Sequence, residues 1–169
     1  EEYYFLIQSG SNHPMLQYAR GGGYSMEVFS EKKLDISEKR TLCFRKPIPR
    51  KPVLADYNFL GENCPVVSER FKNLLESFEL KDIQFLPAIV QDKDGVEHDG
   101  YYILHICNLI PCMDKEKSKW TPSDTKPGKA YEIEELILNN EALDEIPSDE
   151  RLVFALWENI LKVFFHKSV

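Results

Sequence analysis

The chain has 169 residues, 43% of them hydrophobic and 12% aromatic, which suits one compact domain with a sizeable core. It carries 21 Lys+Arg against 28 Asp+Glu, a net charge of −7, and the charge is uneven: residues 1–52 hold 9 basic against 6 acidic residues, the remainder 12 against 22. That balance argues against nucleic acid as a partner of the C-terminal two-thirds, and no apolar run reaches the roughly 20 residues of a membrane span, so a soluble protein is expected.

In chain order, residues 3–8 are aromatic and apolar enough for a strand, with loop signals at 10–14 and 21–23. The triple glycine has no phosphate-loop spacing around it and reads as a turn. Residues 45–52, RKPIPRKP, are basic and proline-rich, which predicts an extended connector, although the P-R-K-P core also has the P-x-x-P spacing of some recognition motifs. Ser68 is placed to cap a helix over 68–78, with Glu69 in its first turn and Val67, Phe71, Leu74, Leu75 and Phe78 forming an apolar stripe. A hairpin follows, with strands over 83–91 and 101–110 and a turn at Asp94-Gly95. Both strands are apolar on both faces, which predicts a place inside a sheet with a layer on each side. Residues 131–150 hold eight carboxylates and no basic residue, the composition of a solvated acidic surface. After it, LVFALWENILKVFF suits either a helix capped by Ser148 or two strands, 152–157 and 160–165, turning at Glu158-Asn159. Its β-branched and aromatic content favours strands.

No residue spacing matches a known catalytic motif. His105, Cys107, Cys112 and Asp114 are of metal-binding type but lack paired ligand spacing, so buried cysteines and a hydrogen-bonded histidine are expected, with no metal and no cofactor. Asp92, Asp94, Glu97 and Asp99 lack the ligand pattern of a calcium loop and read as a hairpin tip. Trp120 and Trp157 are expected in the core. The four cysteines, Cys43, Cys64, Cys107 and Cys112, have no disulfide-framework spacing, and EEYYFLI has no signal-peptide character. Free thiols in the cytoplasm are expected.

The words PVVSERFKNLLES, IQFLPAIV, GYYILHICNLIPCMDKEKS, ELILNNEAL and RLVFALWENILKVFFHKS resemble, in that order, bacterial immunity protein family eleven, found beside toxin genes in polymorphic-toxin systems. The resemblance covers roughly residues 57–169 and does not place 1–52. The organisation expected is thus an N-terminal β-rich segment with a basic connector over 1–52 and an immunity-protein-like core over 53–169, together one compact α+β domain whose mixed, mainly antiparallel sheet carries one or a few helices.

The resemblance implies a non-enzymatic protein that binds and neutralises a cognate toxin domain by direct contact. Membrane and nucleic acid are not expected as partners. A basic toxin, such as a nuclease or nucleic-acid-modifying domain, would meet the acidic run, which nominates Glu132, Glu134, Glu135, Asp144 and Glu145. The rival readings are a small metal-assisted enzyme around His105, Cys107, Cys112 and Asp114, and an adaptor using RKPIPRKP.

Overall fold

The structure is a computed structural model that describes residues 2–5, 12–19, 31–37, 39–61 and 64–169. Strands dominate, with twelve against two α-helices and one 3-10 turn among the described residues, so the mixed-sheet α+β expectation holds in outline with the balance well toward β. The chain forms two compact units, one of Ile7–Cys107 and one of Glu1–Leu6 with Asn108–Val169. The first strand, β1 (Tyr3–Tyr4), belongs to the second of these, while residues 6–8 of the predicted strand and residues 10, 11 and 21–23 of the predicted loops lie outside the described residues.

The larger unit is a closed barrel. Its strands are β2 (Leu16–Tyr18), β3 (Arg40–Phe44), β4 (Tyr57–Leu60), β5 (Cys64–Ser68), β6 (Ile83–Gln91) and β7 (Glu97–Ile106), in spatial order β2-β3-β6-β7-β5-β4. Most pairs are antiparallel; β2 with β4 and β3 with β6 are parallel. Leu16, Leu42, Leu60, Val66, Leu86, Val90 and Ile103 fill the interior, all fully buried. The hairpin does lie inside the sheet, β6 between β3 and β7. Its returning strand begins at Glu97, earlier than the apolar pattern indicates. The reason is a tight tip: Asp92 Oδ1 accepts from the backbone N–H of Asp94 at 2.8 Å and of Val96 at 3.0 Å, so pairing resumes at Gln91 with Glu97.

Helix α1 (Glu69–Glu76) starts where the sequence indicates, with Ser68 Oγ accepting from Phe71 N–H at 3.2 Å. Ser68 Oγ also donates to Asp56 Oδ1 at 2.5 Å, and Arg70 closes on the same carboxylate, which holds the Asp56 carboxyl below the usual range. The helix lies against β5 and β7. Leu75 is fully buried, as is Val67 just before the helix, but Leu74 is half exposed, so the stripe narrows to Val67, Phe71, Leu75 and Phe78. A helix of eight residues resting on a curved wall presents too narrow a face to cover both leucines.

The smaller unit holds a four-stranded sheet in the order β1-β12-β11-β8, built from β8 (Leu109–Ile110), β11 (Val153–Leu156), β12 (Asn159–His166) and β1. The C-terminal segment is thus two strands, and the helix alternative is excluded. Its turn is Trp157-Glu158, one residue before the predicted position, because Leu156 pairs with Asn159. The 101–110 strand is likewise split, since Leu109 and Ile110 pair with β11 and not with the barrel. A two-stranded ribbon, β9 (Lys119–Pro122) with β10 (Ala130–Glu135), helix α2 (Asn140–Asp144) and the 3-10 turn Ser148–Glu150 complete the unit. Ile110, Cys112, Met113, Leu143, Phe154, Leu156 and Phe164 form its core.

Candidate functional site

The acidic run lies wholly in the smaller unit. By sequence that unit holds 8 Lys+Arg against 14 Asp+Glu, a net of −6, whereas the barrel unit holds 13 against 14, a net of −1. The chain's charge is therefore carried almost entirely by one unit.

Within it, β9 and β10 pair antiparallel with Ile133 opposite Trp120, and both side chains turn onto the core. Trp120 Nε1 donates to the Lys115 carbonyl at 3.2 Å. The register slips between Ala130 and Glu132 and again between Ile133 and Glu135. Such bulges re-aim side chains, and they account for exposed neighbours, Tyr131 with Glu132 and Glu134 with Glu135, where strict alternation would turn one of each pair inward. Tyr131 is 78% exposed.

The chain then returns along the 112–118 segment. Asp114 N–H donates to the Ile137 carbonyl at 2.8 Å, Asn139 N–H to the Cys112 carbonyl at 2.8 Å, and Ser118 Oγ bridges both backbone groups of Ile137. Asn139 caps α2 through Ala142 N–H at 3.2 Å, and Leu143 anchors the helix in the core. Asp144 and Glu145 therefore sit at the C-terminal end of α2, where the helix dipole disfavours negative charge.

All five nominated carboxylates, Glu132, Glu134, Glu135, Asp144 and Glu145, are exposed, three on β10 and two at the end of α2. The fold brings cations to two of them from outside the run: Lys119 pairs with Glu134, and Arg151 Nη1 lies 3.0 Å from Asp144 Oδ1. Among the described residues Glu132, Glu135 and Glu145 have no ion pair. Tyr131 was not singled out by sequence reasoning; the signal that marks it is an aromatic residue opening an otherwise acidic strand.

The metal-type residues do not assemble. His105 is fully buried in the barrel unit, its Nε2 donating to the Lys32 carbonyl at 2.8 Å, and burial raises the Cys107 thiol pKa. Cys112 belongs to the core of the smaller unit, where burial and then the nearby Glu158 push its thiol up to about 12. Asp114 accepts from Glu116 and Lys117 N–H at 3.2 and 3.1 Å and pairs with Lys117 Nζ at 2.8 Å. Among the described residues no three His, Cys, Asp or Glu side chains stand together in a way that would hold a metal ion. At the hairpin tip Asp92 Oδ2 meets His98 Nε2 at 3.0 Å and Asp94 pairs with Lys93. Trp157 lies in a turn and is half-buried, and Lys129 Nζ sits 3.7 Å over its ring. All four cysteines are free. No helix among the described residues is long and apolar enough to cross a membrane.

A search of curated proteins finds no match. A family model, that of the immunity protein family (Imm11), matches residues 3–144, so it takes in residues 3–52, which the motif resemblance left unplaced, and stops before β11. With most of the chain matched, including the whole barrel unit, β9, β10 and α2, the protein belongs to the immunity protein family.

Proposed function

We propose that this protein neutralises a cognate bacterial toxin domain by direct contact through the acidic surface of its smaller unit, without catalysis or cofactor. The observation that carries the reading is family membership joined to a surface where Glu132, Glu135 and Glu145 are exposed and unpaired among the described residues, beside the exposed ring of Tyr131. Glu145, unpaired among the described residues at the end of α2, stands where the helix dipole disfavours a negative charge, which favours a role beyond folding.

The partner that fits is a basic domain, as expected of toxins that cut or modify nucleic acid in the cytoplasm of the producing cell or its kin. Acidic side chains would steer its approach, and Tyr131 would supply a rigid, amphipathic anchor. Occlusion of the toxin's substrate-binding surface follows from that complementarity of charge.

The test uses the toxin domain encoded beside the gene. Wild-type protein should bind it one to one and restore growth to cells expressing it. Reversing Glu132, Glu135, Asp144 and Glu145 to Lys should slow association and flatten its salt dependence, and Tyr131→Ala should weaken binding by about tenfold or more. If wild-type protein neither binds nor rescues, the immunity reading fails. If it rescues and ignores both sets of substitutions, the assignment to this surface fails.

A further inference from the structure

The basic segment RKPIPRKP is an ordered part of the barrel unit. Ile48 and, just beyond the segment, Leu54 pack on the barrel core. Arg45 N–H donates to the Met15 carbonyl at 2.7 Å and Val53 N–H to the Asn12 carbonyl at 2.9 Å. Pro47, Pro49 and Pro52 restrict the backbone between these fastenings.

With the apolar anchors turned inward, Arg45, Lys46, Arg50 and Lys51 are all exposed. Among the described residues none of the four has a carboxylate partner, whereas Lys33, Lys39, Arg70, Lys72 and Lys93 of the same unit each have one. Met15 and Val53, 40% and 51% exposed, add apolar surface on the two strips that these backbone bonds tie together.

We propose that this strip is a second docking surface, independent of the acidic one, for a short, extended, acidic peptide segment of a partner protein. Carboxylates of such a segment would meet the two guanidinium groups in bidentate fashion and the two ammonium groups as point charges, while an interposed apolar side chain covers Met15 and Val53. Fixing the cations on an anchored, proline-rich backbone lowers the ordering cost of binding. A short peptide fits better than a long polyanion. Four cations within residues 45–51 match a segment of a few residues, and no exposed aromatic side chain among residues 45–53 offers a base-stacking platform.

The experiment is fluorescence anisotropy with the full chain and a labelled eight-residue peptide of alternating glutamate and leucine. Parallel arms use a lysine-for-glutamate peptide, an octameric single-stranded RNA and phosphatidylserine vesicles, each at low and physiological salt. The acidic peptide should bind, more weakly as salt rises. Arg50→Glu with Lys51→Glu should reduce its affinity at least about tenfold, and Arg45→Gln with Arg50→Gln by a smaller factor, both with melting temperatures equal to wild type. The proposal is overturned if the acidic peptide does not bind, or if it binds these folded variants as well as wild type. Tighter binding of RNA or vesicles through the same four residues overturns it in favour of those ligands. Self-association at low salt that the same substitutions abolish would give the strip to a second copy of the chain and likewise overturn it.

Discussion

Gly128 packs its bare α-carbon against the indole of Trp157: a Cβ at this position would stand 3.0 Å from Cη2 and 3.1 Å from Cζ3. Gly128 also has φ +79°, a conformation that L side chains rarely adopt. Gly95 has φ +80° with nothing within 4 Å of the corresponding position, so it isolates the backbone contribution. Gly95→Ala should cost about 1 kcal/mol, and Gly128→Ala more than that, because the ring beneath Lys129 must also move. Equal shifts in the denaturant midpoints would remove the contact with Trp157 from the account.

Helix α1 makes an equally sharp pair. Leu75→Ala should destabilise by about 2 to 5 kcal/mol, and Leu74→Ala, at a half-exposed site, by about 0.5 kcal/mol or less. Removing the cap with Ser68→Ala should cost about 0.5 to 2 kcal/mol. Chemical denaturation of the three variants checks all three values, and a large effect at Leu74 would contradict the narrow contact stripe.

The thiols should separate by accessibility. Burial pushes both Cys64 and Cys112 up to about 12, and each is 2% exposed or less. At pH 8 neither should react with a maleimide or iodoacetamide until the protein is unfolded, after which all four cysteines should label. Mass spectrometry of peptides from native and denatured samples reads the result. Rapid native labelling at Cys64 would mean that the barrel opens far more readily than its packing implies.

Acid should weaken the fold through specific carboxylates. The Asp114 carboxyl is held below its ordinary value first by the Lys117 side chain and then by backbone N–H groups. A carboxylate depressed on folding contributes stability that is present above its unfolded pKa, near 4, and is lost as pH falls through the lower folded value. Asp114→Asn keeps the Oδ1 acceptor and deletes the charge. Its midpoint should lie below wild type at pH 7, and the gap should close toward pH 2 to 3. A gap that stays constant with pH would assign the effect to packing.

Local chemistry made the helix start, the 83–91 strand and the Asp94-Gly95 turn legible in the sequence, since each depends on neighbours a few residues away. The final strand pair was favoured by its β-branched and aromatic residues, but the turn position depended on Leu156 pairing with Asn159. Barrel closure was not legible. It rests on parallel pairings such as Leu42 with Val90 and Leu16 with Leu60, which no local pattern encodes. The acidic run was visible as composition, but its partial neutralisation by Lys119 and Arg151 was not, because both cations arrive from outside it. Tyr131 escaped notice because the bulges that expose it are features of pairing between β9 and β10.

Closure of the barrel has a further consequence. Where β2 meets β4 the ring closes, so among the described residues each barrel strand has a strand partner on both sides along part of its length. In the smaller unit, among the described residues, each strand of the β9–β10 ribbon leaves its outer edge without a strand partner. On β10 that edge bears Glu132, Glu134 and Glu135, which would face one another if two copies of the strand aligned. Mutual repulsion in that alignment would disfavour edge-to-edge stacking of two copies.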